Sequence, residues 1–169
     1  MRWRGARSGA DGLVLGPGER LLASAPVTAA GEHDQPGVVG GTRDALYLPG
    51  RVPWEQVAGA AWDEEGSRLR VTEVAPWGEQ PPVHVVGLAE AGRLLQLIRE
   101  RVTASLVVQR RIEVRPDAAV RILARRAPGT VGAPLAWFVE YDATLEPGDP
   151  EVRAVVDAEL ARARADAGD

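Results

Sequence analysis

The stretch "GRVPWEQVAGAAWDEEGSRLRV", residues 50–71, decides the fold. It holds two of the chain's five tryptophans, Trp54 and Trp62, beside the acids Glu55, Asp63, Glu64 and Glu65. It reads either as an aromatic-and-carboxylate site or as two strands and the turn between them. Pro53 has no N–H for a sheet ladder and marks the entry to a strand. "QVAGAAW" is that strand, "SRLRVTEV" its partner, and "DEEG" the turn. The two-residue period puts Val57 with Ala61 on one face, and Leu69, Val71 and Glu73 together on the partner. Gly66 is expected to take the positive φ that such hairpin loops use. On this reading Trp54 plugs the core at the strand entry, and Trp62 packs beside the turn. The acids form a solvated turn rather than a catalytic carboxylate pair.

Outward from this hairpin the strand pattern continues. Upstream, "GERLLASAPV" (18–27) is a first strand, "TAAGEHDQPG" a loop, and "VVGGT" and "ALYL" two short β-rich runs. Downstream, "PPVHVVG" adds another strand after the Pro-rich turn at 75–82. The period then changes. Ala91, Leu94, Leu95, Ile98, Val102 and Leu106 recur at three- and four-residue spacing, with Leu97 as an exception, which predicts an amphipathic helix near 89–107.

The last third returns to strands: "VVQRRIEV", "AVRILARR" and "LAWFVEYD" read as an antiparallel meander. Val108, Ile112 and Val114 are expected to share a buried face with Val120, Ile122, Ala124, Trp137, Val139 and Tyr141. Arg110 has the parity of that apolar face and is its one charged member; either it covers a helix end, or the preceding helix runs further along the chain. Asp149 as N-cap, Pro150 at the first helical position and Glu151 in the first turn announce a C-terminal helix. Its apolar stripe is Val152, Val155, Val156, Leu160 and Ala163.

Composition removes much chemistry. The chain of 169 residues has no Cys, so disulfides, thiolate nucleophiles and Cys-based zinc sites are excluded. All 20 basic residues are Arg, so Schiff-base chemistry and a P-loop lysine are excluded as well. His33 and His84 are the only histidines, neither has a second His at ligand spacing, and no metal or cofactor is expected. None of Ser8, Ser24, Ser67 and Ser105 lies in a Gly-x-Ser-x-Gly elbow, and no catalytic residue is assigned. The abundance of Ala, Arg, Gly, Pro and Val suggests a high-GC bacterial source. No apolar run reaches the ~20 residues of a membrane span, and "MRWRGARSGADG" leads into no apolar signal core. A cytoplasmic location is the expectation.

Residues 18–27, "GGTRDALYLPGRVPWEQV", "AAWDEEGSRLRV" and the helix "AGRLLQLIRERV" together resemble a bacterial pleckstrin-homology-like domain of the GRAM type. The resemblance covers roughly 13–107 and leaves 108–169 as a βββα extension; the whole chain is also similar to a family of actinobacterial proteins. It implies antiparallel sheets closed by a helix, and phosphate-gripping basic side chains around the first hairpin. That loop carries Glu32 and Asp34 and no Arg, so no lipid-binding residue is transferred.

The fold expected is therefore α+β: a PH-like sheet assembly capped by an amphipathic helix, then a three-stranded meander and a C-terminal helix. The surface with most chemistry is the outward side of the meander, where Arg111, Arg121, Arg125 and Phe138 are the candidate partner-binding residues. Cross-strand pairing with Glu113, Glu140 and Asp142 is the competing account of these arginines. An acidic pI of about 5.3 argues against nucleic acid as the partner. The function expected is a non-enzymatic protein-interaction or scaffold module, with homo-oligomerisation open. The alternative is a peripheral membrane or small-ligand module, for which "RWR" near the N-terminus is the main support.

Overall fold

The computed structural model describes residues 12–28, 37–48, 50–76, 79–130 and 132–169. The expectations for Trp3, Ser8, Glu32, His33 and Asp34 lie outside the described residues. The chain is α+β, with three antiparallel sheets of four, three and three strands and two helices. It divides into two compact units, each with its own core. The first comprises the chain up to Ala75 with Gln80–Ser105 and Ala127–Gly129; the second comprises Pro76–Glu79, Leu106–Arg126 and Thr130–Asp169.

In the first unit β1 (Ala23–Pro26), β2 (Val38–Gly41), β3 (Ala45–Tyr47) and β4 (Arg51–Pro53) form one sheet in that order. A 3-10 turn at Trp54–Gln56 leads into β5 (Val57–Asp63), which with β6 (Arg68–Glu73) and β7 (Val83–Gly87) forms the second. Helix α1 (Gly92–Ser105) packs on β1, β2, the 3-10 turn and β5. Its buried face holds Leu94, Leu97 and Ile98, so Leu97 belongs to the apolar stripe. The helix ends at Ser105 because Leu106 begins the next strand.

Trp54 is fully buried and donates from Nε1 to Thr42 O at 3.1 Å. Trp62 stands opposite Leu69 and packs against the same core. Both tryptophans serve packing. Three details differ from the sequence expectation. Pro53 closes the short strand β4 rather than opening β5, and it pairs with Ala45. A bulge between Val57 and Gly59 shifts the register, so Ala61 stands opposite Arg70 on the exposed side while Trp62 points inward with Val57. In the turn Ser67 takes the positive φ, 47°, and not Gly66.

In the second unit β8 (Leu106–Arg115), β9 (Ala118–Arg125) and β10 (Ala136–Tyr141) form a meander in the order β10-β9-β8, followed by α2 (Pro150–Ala167). The register aligns Val108 with Ala124 and Trp137, and Ile112 with Val120 and Tyr141, on one face. Val120, Val152, Val156 and Leu145 are buried in the core there, with Ile112, Val114, Val139 and Tyr141 packed against them. Asp149 caps α2 by accepting from Glu151 N at 2.9 Å, and Gly168 ends the helix at φ 72°.

Candidate functional site

The solvent side of the meander is built by strand alternation. The odd-numbered residues of β8 point outward, and the register sets them in cross-strand rows. One row is Gln109, the buried Leu123 and the half-buried Phe138; the next is Arg111, Arg121 and Glu140, and Arg121 is the one exposed residue of β9. Beyond them Asp142 extends the pairing, donating its N–H to Ala119 O at 3.0 Å and accepting Ala119 N–H on Oδ2 at 2.8 Å.

Arg111 and Arg121 stand directly opposite each other, an unfavourable like-charge pair unless neutralised. Glu140 Oε2 lies 2.8 Å from Arg121 Nη2, and Asp142 Oδ2 lies 3.9 Å from Arg111 Nη2. Arg125 is only 6% exposed, at the sheet end opposite Leu106 and Ala136. Burial pushes its guanidinium pKa down, with Glu140 acting in the opposite sense. Of the four candidates, Arg111 and Arg121 are therefore exposed and Phe138 is half-buried, while Arg125 is withdrawn from solvent. The face alternates positive and negative charge around an aromatic ring; it is not a cationic groove.

The carboxylates of the opening stretch do not converge. Glu55 lies in the 3-10 turn before β5, whereas Asp63, Glu64 and Glu65 lie at its far end, roughly 20 Å along an extended strand. Among the described residues no cluster of His, Asp and Glu could hold a metal ion. His84 Nε2 sits 2.5 Å from Glu73 Oε1 on the neighbouring strand.

A polar cluster that the sequence reading missed lies beside β3 and β4. Glu19 accepts from Thr42 Oγ1 at 2.7 Å and Tyr47 OH at 2.9 Å on Oε2, and from Arg51 Nη2 at 2.6 Å on Oε1. Gly16 N donates to Tyr47 OH at 2.7 Å. Burial alone would raise the Glu19 pKa, but the hydrogen bonds from Thr42, Arg51 and Tyr47 outweigh it and hold the carboxyl below its ordinary value. With its side chain only 6% exposed, Glu19 is spent on joining 16–19 to the first sheet. Nearby, Leu21, Leu22, Ala23, Ser24 and Arg93 line an open depression of about 240 Å³, below the ~300–1,000 Å³ of typical ligand pockets. A second surface the sequence did not reveal is β7, where Val83 is 40% and Val85 53% exposed.

No protein-family model, curated protein or solved structure matches this chain.

Proposed function

We propose that the chain is a non-enzymatic protein-interaction module of the bacterial cytoplasm, in which a PH-like unit carries a βββα extension that meets the partner. The PH-like assignment is supported by the order of elements in the first unit: a four-stranded sheet, a three-stranded sheet, then a helix packed on strands of both. The observation that carries the interaction is the mixed outer face of the meander, where Phe138 lies beside the Arg121–Glu140 ion pair and the Arg111–Arg121 row. Arginine and aromatic side chains are enriched where protein partners meet. Paired charges of both signs suit a folded protein surface better than a polyanion, which would meet Glu113, Glu140 and Asp142 beside each arginine. Two polar groups elsewhere are engaged in internal bonds, Glu19 with Thr42, Tyr47 and Arg51, and His84 with Glu73.

The test is affinity capture from the source cytosol with the wild-type chain beside R111A, R121A and F138A. A protein retained by wild type and lost with F138A and R121A, at unchanged circular dichroism, is the expected result. Capture indifferent to all three substitutions overturns the assignment of the face. Sedimentation with anionic vesicles, in place of protein capture, overturns the assignment of the partner class in favour of a membrane-surface module.

A further inference from the structure

The open edge of β7 follows from its register against β6. Glu73 N donates to Pro82 O, and Leu88 N donates to Ser67 O, both at 2.9 Å. Hydrogen bonding alternates along an antiparallel ladder, so His84 and Val86 turn their backbone groups to β6. Val83, Val85 and Gly87 turn theirs the other way. Gly87 confirms the phase, since its carbonyl accepts Thr28 N at 2.9 Å from the outer side. Strand β7 ends the sheet order β5-β6-β7, and among the described residues nothing pairs with that edge at Val83 or Val85. The valine side chains on the same stretch are the exposed ones. Natural edges are commonly blunted by charge, proline or a bulge. Within "VHVVG" none of these is present.

We propose that this edge pairs with a second copy of the same chain, β7 against β7 about a two-fold axis at His84. The occupant follows from self-complementarity. Antiparallel pairing of Val83 with Val85 of the other copy, and of Val85 with its Val83, uses the outward N–H and C=O of both residues and leaves none over. The next step would set Pro81 opposite Gly87, where one has no N–H and the other already accepts from Thr28. The ladder therefore closes at both ends at the length that self-pairing requires.

The side chains agree with the backbone. On the outer face the register already places Val85 beside Arg70 and Val83 beside Thr72. Across the axis the valines of both copies become adjacent, an apolar centre rimmed by Arg70 and Thr72, as protein interfaces are built. At the axis His84 stands opposite its own copy, each imidazole bonded to Glu73 of its own sheet. So short a ladder falls below the ~1,200–2,000 Å² buried by stable complexes, so the self-association is weak.

The edge shares no residue with the meander, so the two assignments fail independently. The experiment is sedimentation equilibrium of the full chain from about 10 µM to 1 mM, with amide exchange at Val83 and Val85 followed by NMR over the same range. The expected result is a concentration-dependent dimer in which these two amides gain protection as it forms. Because its N–H points away from β6, Val85→Pro keeps the ladder to β6 and abolishes the dimer; Val85→Arg does the same through charge at the axis. Val107→Arg, at an exposed valine of β8, leaves the dimer intact. A monomer throughout the range overturns the proposal, as does a dimer that survives both Val85 variants. Protection of the two amides only on adding a foreign polypeptide also overturns it, assigning the edge to a different occupant.

Discussion

Arg110 Nη2 lies 2.6 Å from Asp166 Oδ2, tying the middle of β8 to the last turn of α2. Arg115, at the end of the same strand, pairs with the N-cap Asp149, so the helix is held at both ends by one strand. The charged residue on the apolar face thus has a structural use: its guanidinium passes the buried row and closes the far end of the helix. Both partners are partly exposed, so Arg110→Ala should cost only about 0.5–1 kcal/mol. The loss should shrink as salt rises. Urea unfolding at low and high ionic strength checks this; an effect independent of salt would assign the role to packing of the aliphatic stem instead.

The core of the first unit is centred on Trp54, and its tolerance is narrow at Gly41. A Cβ on Gly41 would stand 2.6 Å from Leu97 Cδ2 and 3.3 Å from Trp54 Cζ2. Gly41→Ala should therefore destabilise by about 1–3 kcal/mol through overpacking. Trp54→Phe should cost a similar amount, since it leaves a cavity and strips Thr42 O of its donor. Combining Gly41→Ala with Leu97→Ala should recover part of the first loss relative to additivity, because the methyl fills space that the leucine vacates. Denaturation midpoints of the singles and the double decide it, and strict additivity would count against the clash.

Acid should undo the Glu19 cluster. Its folded-state pKa is lowered from 4.5 by the bonds from Thr42, Arg51 and Tyr47, in spite of burial. A depressed carboxyl contributes stability that is present above the unfolded pKa and lost as pH falls through the folded one. The wild type should thus lose stability progressively below about pH 4.5. Glu19→Gln should be less stable by about 1–3 kcal/mol at neutral pH, with the gap closing in acid. Thermal melts between about pH 3 and 7 test this; a gap constant over the range would mean that Glu19 acts only by its shape.

How much of this was open to sequence reading depends on what each pattern could encode. The meander and α2 were legible because polar and apolar residues alternate from Val108 to Arg115 with Arg110 as the one exception, and Asp149-Pro150-Glu151 marks a helix start. The bulge before Gly59 was hidden because Ala and Gly in "VAGAAW" offer no contrast between faces. Strand β4 is too short to show a period. In β7 the short run "VHVVG" does not declare its faces; the register puts His84 beside Val71 and turns Val83 and Val85 to solvent. The Glu19–Arg51 bond joins residues far apart in the chain and leaves no local signal. For the candidate face, sequence placed Arg111, Arg121 and Phe138 on one side and named Glu140 and Asp142 among the acids that pair with these arginines; it could not see that Arg125 is buried.

Ser67 sits at φ 47° in the turn between β5 and β6, a conformation that costs a residue with a Cβ roughly 1 kcal/mol. Its amide donates to Glu64 O and its carbonyl accepts Leu88 N, so both backbone bonds survive a change of side chain. Ser67→Gly should therefore stabilise the first unit by a few tenths of a kcal/mol to about 1 kcal/mol. Gly66→Ala should have little effect, because its φ is not positive and the close contact is the mobile carboxylate of Asp63. A stabilising Ser67→Gly beside a near-neutral Gly66→Ala is the expected pair of unfolding results. The opposite order would place the positive φ one residue earlier.

Asp142 and Glu140, two of the acids on the outer face of the meander, should behave differently. Asp142 Oδ2 accepts Ala119 N–H at 2.8 Å while its own backbone continues the ladder, and Arg111 approaches it only to 3.9 Å. Removing the carboxylate leaves a backbone donor without its partner, so Asp142→Ala should cost about 1–3 kcal/mol. Arg111→Ala removes a long, exposed ion pair and should cost well under 1 kcal/mol. It also relieves the like-charge pair with Arg121, so its sign can reverse at low salt. Glu140→Gln should fall between them: it unbinds Arg121 and leaves two opposed guanidiniums with one carboxylate fewer. Equilibrium unfolding of the three variants at two salt concentrations gives the order. If Arg111→Ala proved as costly as Asp142→Ala, the face would be held by its charges rather than by the ladder, and its arginines could not be spared for a partner.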